Sequence, residues 1–106
     1  FGSDSAPHNS DSKYCSHGCA GVFSAPVMAQ TLVEVFEESG VPDWAWRLIC
    51  FTSMNANRFY GFPDPVRTIK LEKKDNNAPS WLKTNEDDDW IPVFRDGETL
   101  KWQLID

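Results

Sequence analysis

The chain has 106 residues, enough for one domain at most and a modest core. A net charge of −6 with no basic cluster excludes a nucleic-acid binder, because neutralising phosphates needs gathered Lys and Arg. No apolar run approaches the ~20 residues that cross a bilayer. The three cysteines (Cys15, Cys19, Cys50) are irregularly spaced, a poor disulfide framework that fits a reducing, cytoplasmic setting.

Phe1 to Ser3 has the character of a strand end. It leads into Asp4-Ser5-Ala6-Pro7-His8, which sets a carboxylate and an imidazole four residues apart beside a proline. Residues 5–24 are rich in Ser, Gly, Asn, Asp and His and read as a loop; a loop of that length inside a compact domain is usually functional. A strand end opening into such a loop is the layout of an active site, and its place at the start of the chain suggests a piece of something larger.

A helix follows, with Ser24 as N-cap and Pro26 in the first turn. Met28, Leu32, Val35 and Phe36 share one face, and Gly40 and Pro42 stop it. Asp43 is placed to cap a second helix carrying Trp44, Leu48, Phe51 and Met54, and a short turn from Asn55 is closed by Gly61. Val66 to Lys73 alternates as a strand, with Ile69 and Leu71 on one side. Residues 74–89 read as a polar loop tacked down by Trp81 and Leu82. Ile91 to Phe94 reads as a short strand, Asp96-Gly97 as a turn, and Leu100, Trp102 and Leu104 as a final alternating strand. The aromatic residues read mostly as core. Trp44 and Trp46 cannot both face one layer, which leaves one for a subunit contact. Two good helices with few strands call for a sheet from elsewhere in the protein.

The runs Phe1 to His8, Gly18-Cys19-Ala20-Gly21-Val22-Phe23-Ser24-Ala25-Pro26, Val35-Phe36-Glu37-Glu38, Phe59-Tyr60-Gly61-Phe62-Pro63, Trp90 to Phe94 and Gly97 to Trp102 together resemble the C-terminal third of the single-function dihydroorotases, of the amidohydrolase superfamily. The resemblance covers nearly the whole chain. It implies an α/β fold, the C-terminal part of a (β/α)8 barrel: strand eight and its active-site loop over 1–24, barrel helices over 25–62, and a β extension over 63–106. Active sites of such barrels sit at the C-terminal ends of the strands.

The implied reaction is the reversible, zinc-dependent cyclisation of N-carbamoyl-L-aspartate to L-dihydroorotate in pyrimidine synthesis. The implied cofactor is a pair of zinc ions whose other ligands, a His-x-His pair, a carboxylated lysine and further histidines, lie upstream of this segment. Asp4 is then both metal ligand and general acid/base, and His8, Ala20 and Gly21 contact the substrate. Gly18 and Gly21 allow close approach of the chain. The implied partners are the N-terminal part of the same barrel, a small-molecule substrate and a second copy in a homodimer; the segment by itself is expected to be inactive. The chain departs from the family pattern between His8 and Cys15, where Lys13 is the only cation.

Two other readings stay open. One is a catalytically inactive relative that keeps the fold as a scaffold. The other is a small zinc-binding module using His8, Cys15, His17 and Cys19, although Cys15-x-His17-x-Cys19 is not the usual spacing of such modules. The acidic run Glu86 to Asp89 lacks the glycine-containing geometry of a calcium loop and reads as solvated.

Overall fold

A computed structural model describes residues 1–84 and 89–105. Its centre is helix α2 (Met28–Glu38), wedged between helix α3 (Trp44–Ile49) on one side and strand β4 (Thr99–Ile105) on the other. A single 3-10 turn, Ala25–Val27, precedes α2. Ser24 caps that turn through its carbonyl, which accepts the Val27 N–H at 3.0 Å, and makes no side-chain cap bond. Pro26 removes a donor that a first turn does not use. Gly40, at φ +68°, ends the helix in the left-handed conformation.

The buried face of α2 is not the expected one. Val27, Gln30, Val33 and Glu34 face the β region and are buried, whereas Met28, Leu32 and Phe36 are half-buried and Val35 is exposed. The polar members of the buried face are tolerable because Glu34 is fully hydrogen-bonded there.

Helix α3, a π turn (Cys50–Met54) and helix α4 (Asn55–Tyr60) run on without a break, so the two helical stretches expected here form one rod. Asp43 stands at its start in the left-handed region. It caps with its carbonyl, taking the Arg47 N–H at 3.0 Å, and makes no side-chain cap bond. The Thr52 and Ser53 hydroxyls donate back to the Leu48 and Ile49 carbonyls at 2.9 and 3.1 Å, the kind of side-chain competition that accompanies a widened turn. Gly61 closes α4, as its position predicts.

Strand β1 (Lys70–Asn77) pairs antiparallel with β4, Lys70 opposite Ile105 and Lys73 opposite Trp102. It is displaced towards the C-terminus from the expected 66–73. Its first described pair is Lys70 with Ile105, and Val66 to Ile69 lie before the ladder. Asn76 and Asn77, which look like turn residues, stay in the ladder. A register shift lets the Asn76 amide donate to the Trp102 carbonyl at 2.7 Å and replace a lost ladder bond. The expected strand at 91–94 is only Trp90–Ile91 (β3), paired with Leu82–Lys83 (β2). Val93 beyond it turns into the core. The reverse turn at Asp96-Gly97 is as expected.

The core is aliphatic and small: Val27, Ala78, Val93 and Leu100, with Phe23 against it. This corrects the expectation of an aromatic core. Phe59, Tyr60, Phe62 and Trp46 are all exposed; Phe59 meets Tyr60 edge-on, and Tyr60 stacks on Phe62. Trp44 does pack, edge-on to Trp102 with centroids 6.1 Å apart. Phe1 to Ser3 forms no strand among the described residues; Phe1 instead rests on Phe51, ring centroids 5.3 Å apart. Residues 85–88, which hold most of the acidic run, lie outside the described residues. No described helix is long and apolar enough to cross a membrane.

Candidate active-site loop

The structure brings the two motifs of the N-terminal quarter against one another. The Ala6 N–H donates to the Val22 carbonyl at 2.9 Å, and the Ser5 hydroxyl accepts the Ala25 N–H at 3.0 Å. The loop therefore leaves at His8 and returns at Gly21 alongside Asp4-Ser5-Ala6. Gly21 lies at φ +95°, and a Cβ there would stand 2.7 Å from the Ala6 Cβ. Only glycine lets the returning chain come this close.

Asp4 also has a left-handed backbone, φ +45°, an arrangement that costs a non-glycine residue roughly 1–2 kcal/mol and that Asp tolerates better than most. Its carboxylate is exposed and bonds to no other described residue. His8 is half-buried, and its imidazole is likewise uncommitted among the described residues. Ala20 and Gly21 are exposed, and neither of their N–H groups meets a protein acceptor among the described residues.

The stretch expected to be structureless contains one helical turn, α1 (Ser10–Lys13). Asn9 caps it, its side-chain oxygen accepting the Ser12 N–H at 2.9 Å. The sequence carried that signal in Asn9-Ser10-Asp11-Ser12, a cap residue followed by an acidic first turn. The loop then folds back on α1. The Cys19 N–H donates to the Ser12 carbonyl at 3.1 Å, and a Cβ at Gly18 would sit 2.9 Å from the Lys13 carbonyl oxygen. The Lys13 ammonium, the lone cation of the loop, donates to the Cys19 carbonyl at 2.9 Å and also to that of Gly21.

The β extension supports the loop from outside. Tyr14 stacks on Trp81 with centroids 5.9 Å apart, the Ser10 hydroxyl reaches Asp89 at 3.4 Å, and the Phe94 N–H donates to the Phe23 carbonyl at 3.0 Å. Sequence reading missed these supports, because each joins residues far apart in the chain.

The arrangement argues against a zinc module in the loop. The Cys15 thiol turns onto the Ser12 carbonyl at 3.4 Å, and the exposed His17 ring lies 3.1 Å from Ser16. Among the described residues no three His, Cys, Asp or Glu side chains gather as a metal site.

No family model matches the chain. Single proteins do. The mitochondrial dihydroorotase of Oryza sativa subsp. japonica is 41% identical over 102 residues, 96% of this chain and 24% of the relative. The dihydroorotase of Erythrobacter litoralis is 40% identical over 104 residues, 98% of this chain and 29% of the relative. In three dimensions the chain matches Campylobacter jejuni dihydroorotase with a TM-score of 0.79 at 34% identity, covering 100% of this chain and 29% of that one. Saccharomyces cerevisiae dihydroorotase, solved in complex with 5-fluoroorotic acid, matches with a TM-score of 0.82 at 32% identity, covering 99% and 29%. The chain thus spans 24–29% of the length of these relatives. By sequence along nearly its whole length, and by the course of its backbone, this chain matches a segment of the dihydroorotases.

Proposed function

We propose that this chain supplies the strand-eight end, active-site loop and β extension of a dihydroorotase barrel, and that the complete protein interconverts N-carbamoyl-L-aspartate and L-dihydroorotate. The observation that carries the reading is the apposition of the two motifs: Ala6 bonded to Val22, with Gly21 against Ala6. It supports one site made of Asp4, His8, Ala20 and Gly21, in a chain about 40% identical to dihydroorotases from end to end.

Hydrolysis of the dihydroorotate ring adds water to an amide-type carbonyl and breaks its C–N bond. The water oxygen becomes part of the new carboxylate, and its proton passes to the departing nitrogen. In this reading Asp4 takes that proton and returns it, the role of a general acid/base. An exposed carboxylate without a competing partner suits the task. A bound zinc pair supplies Lewis-acid polarisation and an acidified water. Asp4 fits as one oxygen donor to it, and the remaining donors belong to parts of the barrel outside this chain. His8 offers a donor for the substrate carboxylate. The free N–H groups of Ala20 and Gly21 offer donors to its carbonyl oxygens, which matches the orotate-type ligand of the yeast relative. The unpaired cysteines accord with a reducing, cytoplasmic site of action. A homodimer is the assembly proposed.

The test is Asp4→Asn in the complete protein. Turnover should drop by ~10²–10⁴, the usual contribution of such a group, with the fold and melting temperature retained. Activity within about tenfold of wild type removes Asp4 from the role. A complete, zinc-loaded wild type that turns over neither substrate favours the scaffold reading.

A further inference from the structure

We propose that Lys13 is a positioning residue for substrate binding: by holding the Cys19 and Gly21 carbonyls it aims the peptide groups around Ala20 into the site. The inference rests on the assignment of Ala20 to the substrate and adds the device that orients its N–H.

The geometry is that of a clamp. Lys13 closes helix α1, and α1 is itself fixed by the Asn9 cap and by the Cys19 N–H on the Ser12 carbonyl. From this anchored position the ammonium takes two carbonyls, one on each side of Ala20. Both peptides are trans, so each carbonyl points away from the N–H of the next residue. With the Cys19 and Gly21 oxygens turned towards Lys13, the Ala20 and Val22 N–H groups are turned to the opposite side. The Ala20 N–H has no protein acceptor there among the described residues, while the Val22 carbonyl is occupied by Ala6. One edge of this stretch is therefore bound within the protein, and the other keeps a free donor.

Such an arrangement needs a cation. The flanking segment is rich in glycine, and Gly21 sits at φ +95°, so little in the local chain prefers this path over others. Two charge-assisted bonds from one side chain supply the preference. The alternative use of Lys13, direct capture of a substrate anion, competes with these bonds, since two of its three donors already serve the loop.

The experiment compares wild type, Lys13→Met and Lys13→Arg in the complete protein. It follows amide hydrogen exchange at Cys19 and Ser24, the hydrogen-bonded N–H groups of residues 19–24, and kcat and KM for dihydroorotate. Met keeps the length and removes the charge. Lys13→Met should exchange at least about tenfold faster in this segment and raise KM about tenfold or more. Its kcat should change by less than about threefold, given the typical strength of a hydrogen bond to a charged group. Lys13→Arg should recover part of both effects. Unchanged exchange and KM in a folded Met variant overturn the proposal, as does a loss of kcat at constant KM. If Lys13→Met does not fold, Lys13→Gln takes its place with the same two criteria. A wild type that does not process dihydroorotate, with exchange still governed by residue 13, overturns the substrate assignment and leaves the clamp standing.

Discussion

The Glu34 carboxylate meets the Arg95 guanidinium at 2.8 Å across the seam between helix α2 and the turn that precedes β4. Its other oxygen accepts the backbone N–H of Lys101 at 2.6 Å, and Arg95 also bonds to Thr31 and Glu98. Burial disfavours the Arg95 charge, but the hydrogen bonds to Glu98 and Glu34 outweigh that and hold its pKa above the ordinary value. Both side chains are at least 85% covered, so removing one leaves the other charged and poorly solvated. Glu34→Ala should destabilise the complete protein by about 3 kcal/mol, and Glu34→Gln, which keeps an oxygen for Lys101, by clearly less. Urea denaturation checks this; equal losses would show that the charge is not what matters.

Gly21 is the tightest point of the loop. Gly21→Ala adds a Cβ at 2.7 Å from that of Ala6, on a backbone that disfavours it, at a cost of about 1–3 kcal/mol. The loop must then lift off Ala6, and kcat/KM of the complete protein should fall by at least tenfold. Adding Ala6→Gly removes the contact but not the strained φ, so the double variant should regain only part of the loss. Full recovery would assign the whole effect to the contact.

The Tyr14–Trp81 stack ties the loop to the β extension, and both rings are substantially exposed. A double-mutant cycle with Tyr14→Ala and Trp81→Ala should give a coupling of about 0.5 kcal/mol, the low end for aromatic pairs. Zero coupling would mean that the two rings touch without supporting one another.

Glu37 accepts hydrogen bonds from Lys73 and from the Trp102 indole at 2.9 Å, and these hold its pKa below the ordinary 4.5. A lowered folded-state pKa gives stability that is complete above the unfolded value and is lost as pH falls through the folded one. The stability difference between wild type and Glu37→Gln should therefore be constant above about pH 5 and shrink below 4.5. Thermal melts from pH 3 to 7 test the direction. A difference that grows on acidification contradicts it.

How much of this was legible beforehand depends on distance along the chain. Helix ends were readable because their signals are local: Gly40 and Gly61 adopt the left-handed backbone that stops a helix. The buried side of α2 was not, because periodicity groups Met28, Leu32, Val35 and Phe36 without saying what will pack on them. The helix is covered on two sides, and Glu34 is drawn to the inner one by partners at 95 and 101. Strand limits failed for a similar reason, being set by the partner strand and not by the residues themselves. In the loop, the candidates Asp4, His8, Ala20 and Gly21 were named from motif resemblance, but nothing local marked Lys13 as more than a lone surface cation.

By itself, the amino-acid sequence determined the class of the chain, its helix stops and the motif pair that marks its family, since all of these are written in short runs of residues. Only the tertiary structure decided how the motifs stand together. The meeting of Ala6 with Val22, Lys13 with the carbonyls around Ala20, and Tyr14 with Trp81 depends on chain closure that brings separated groups into contact. Composition and periodicity report which faces are apolar; they do not report which partner, near or remote, each polar group will find.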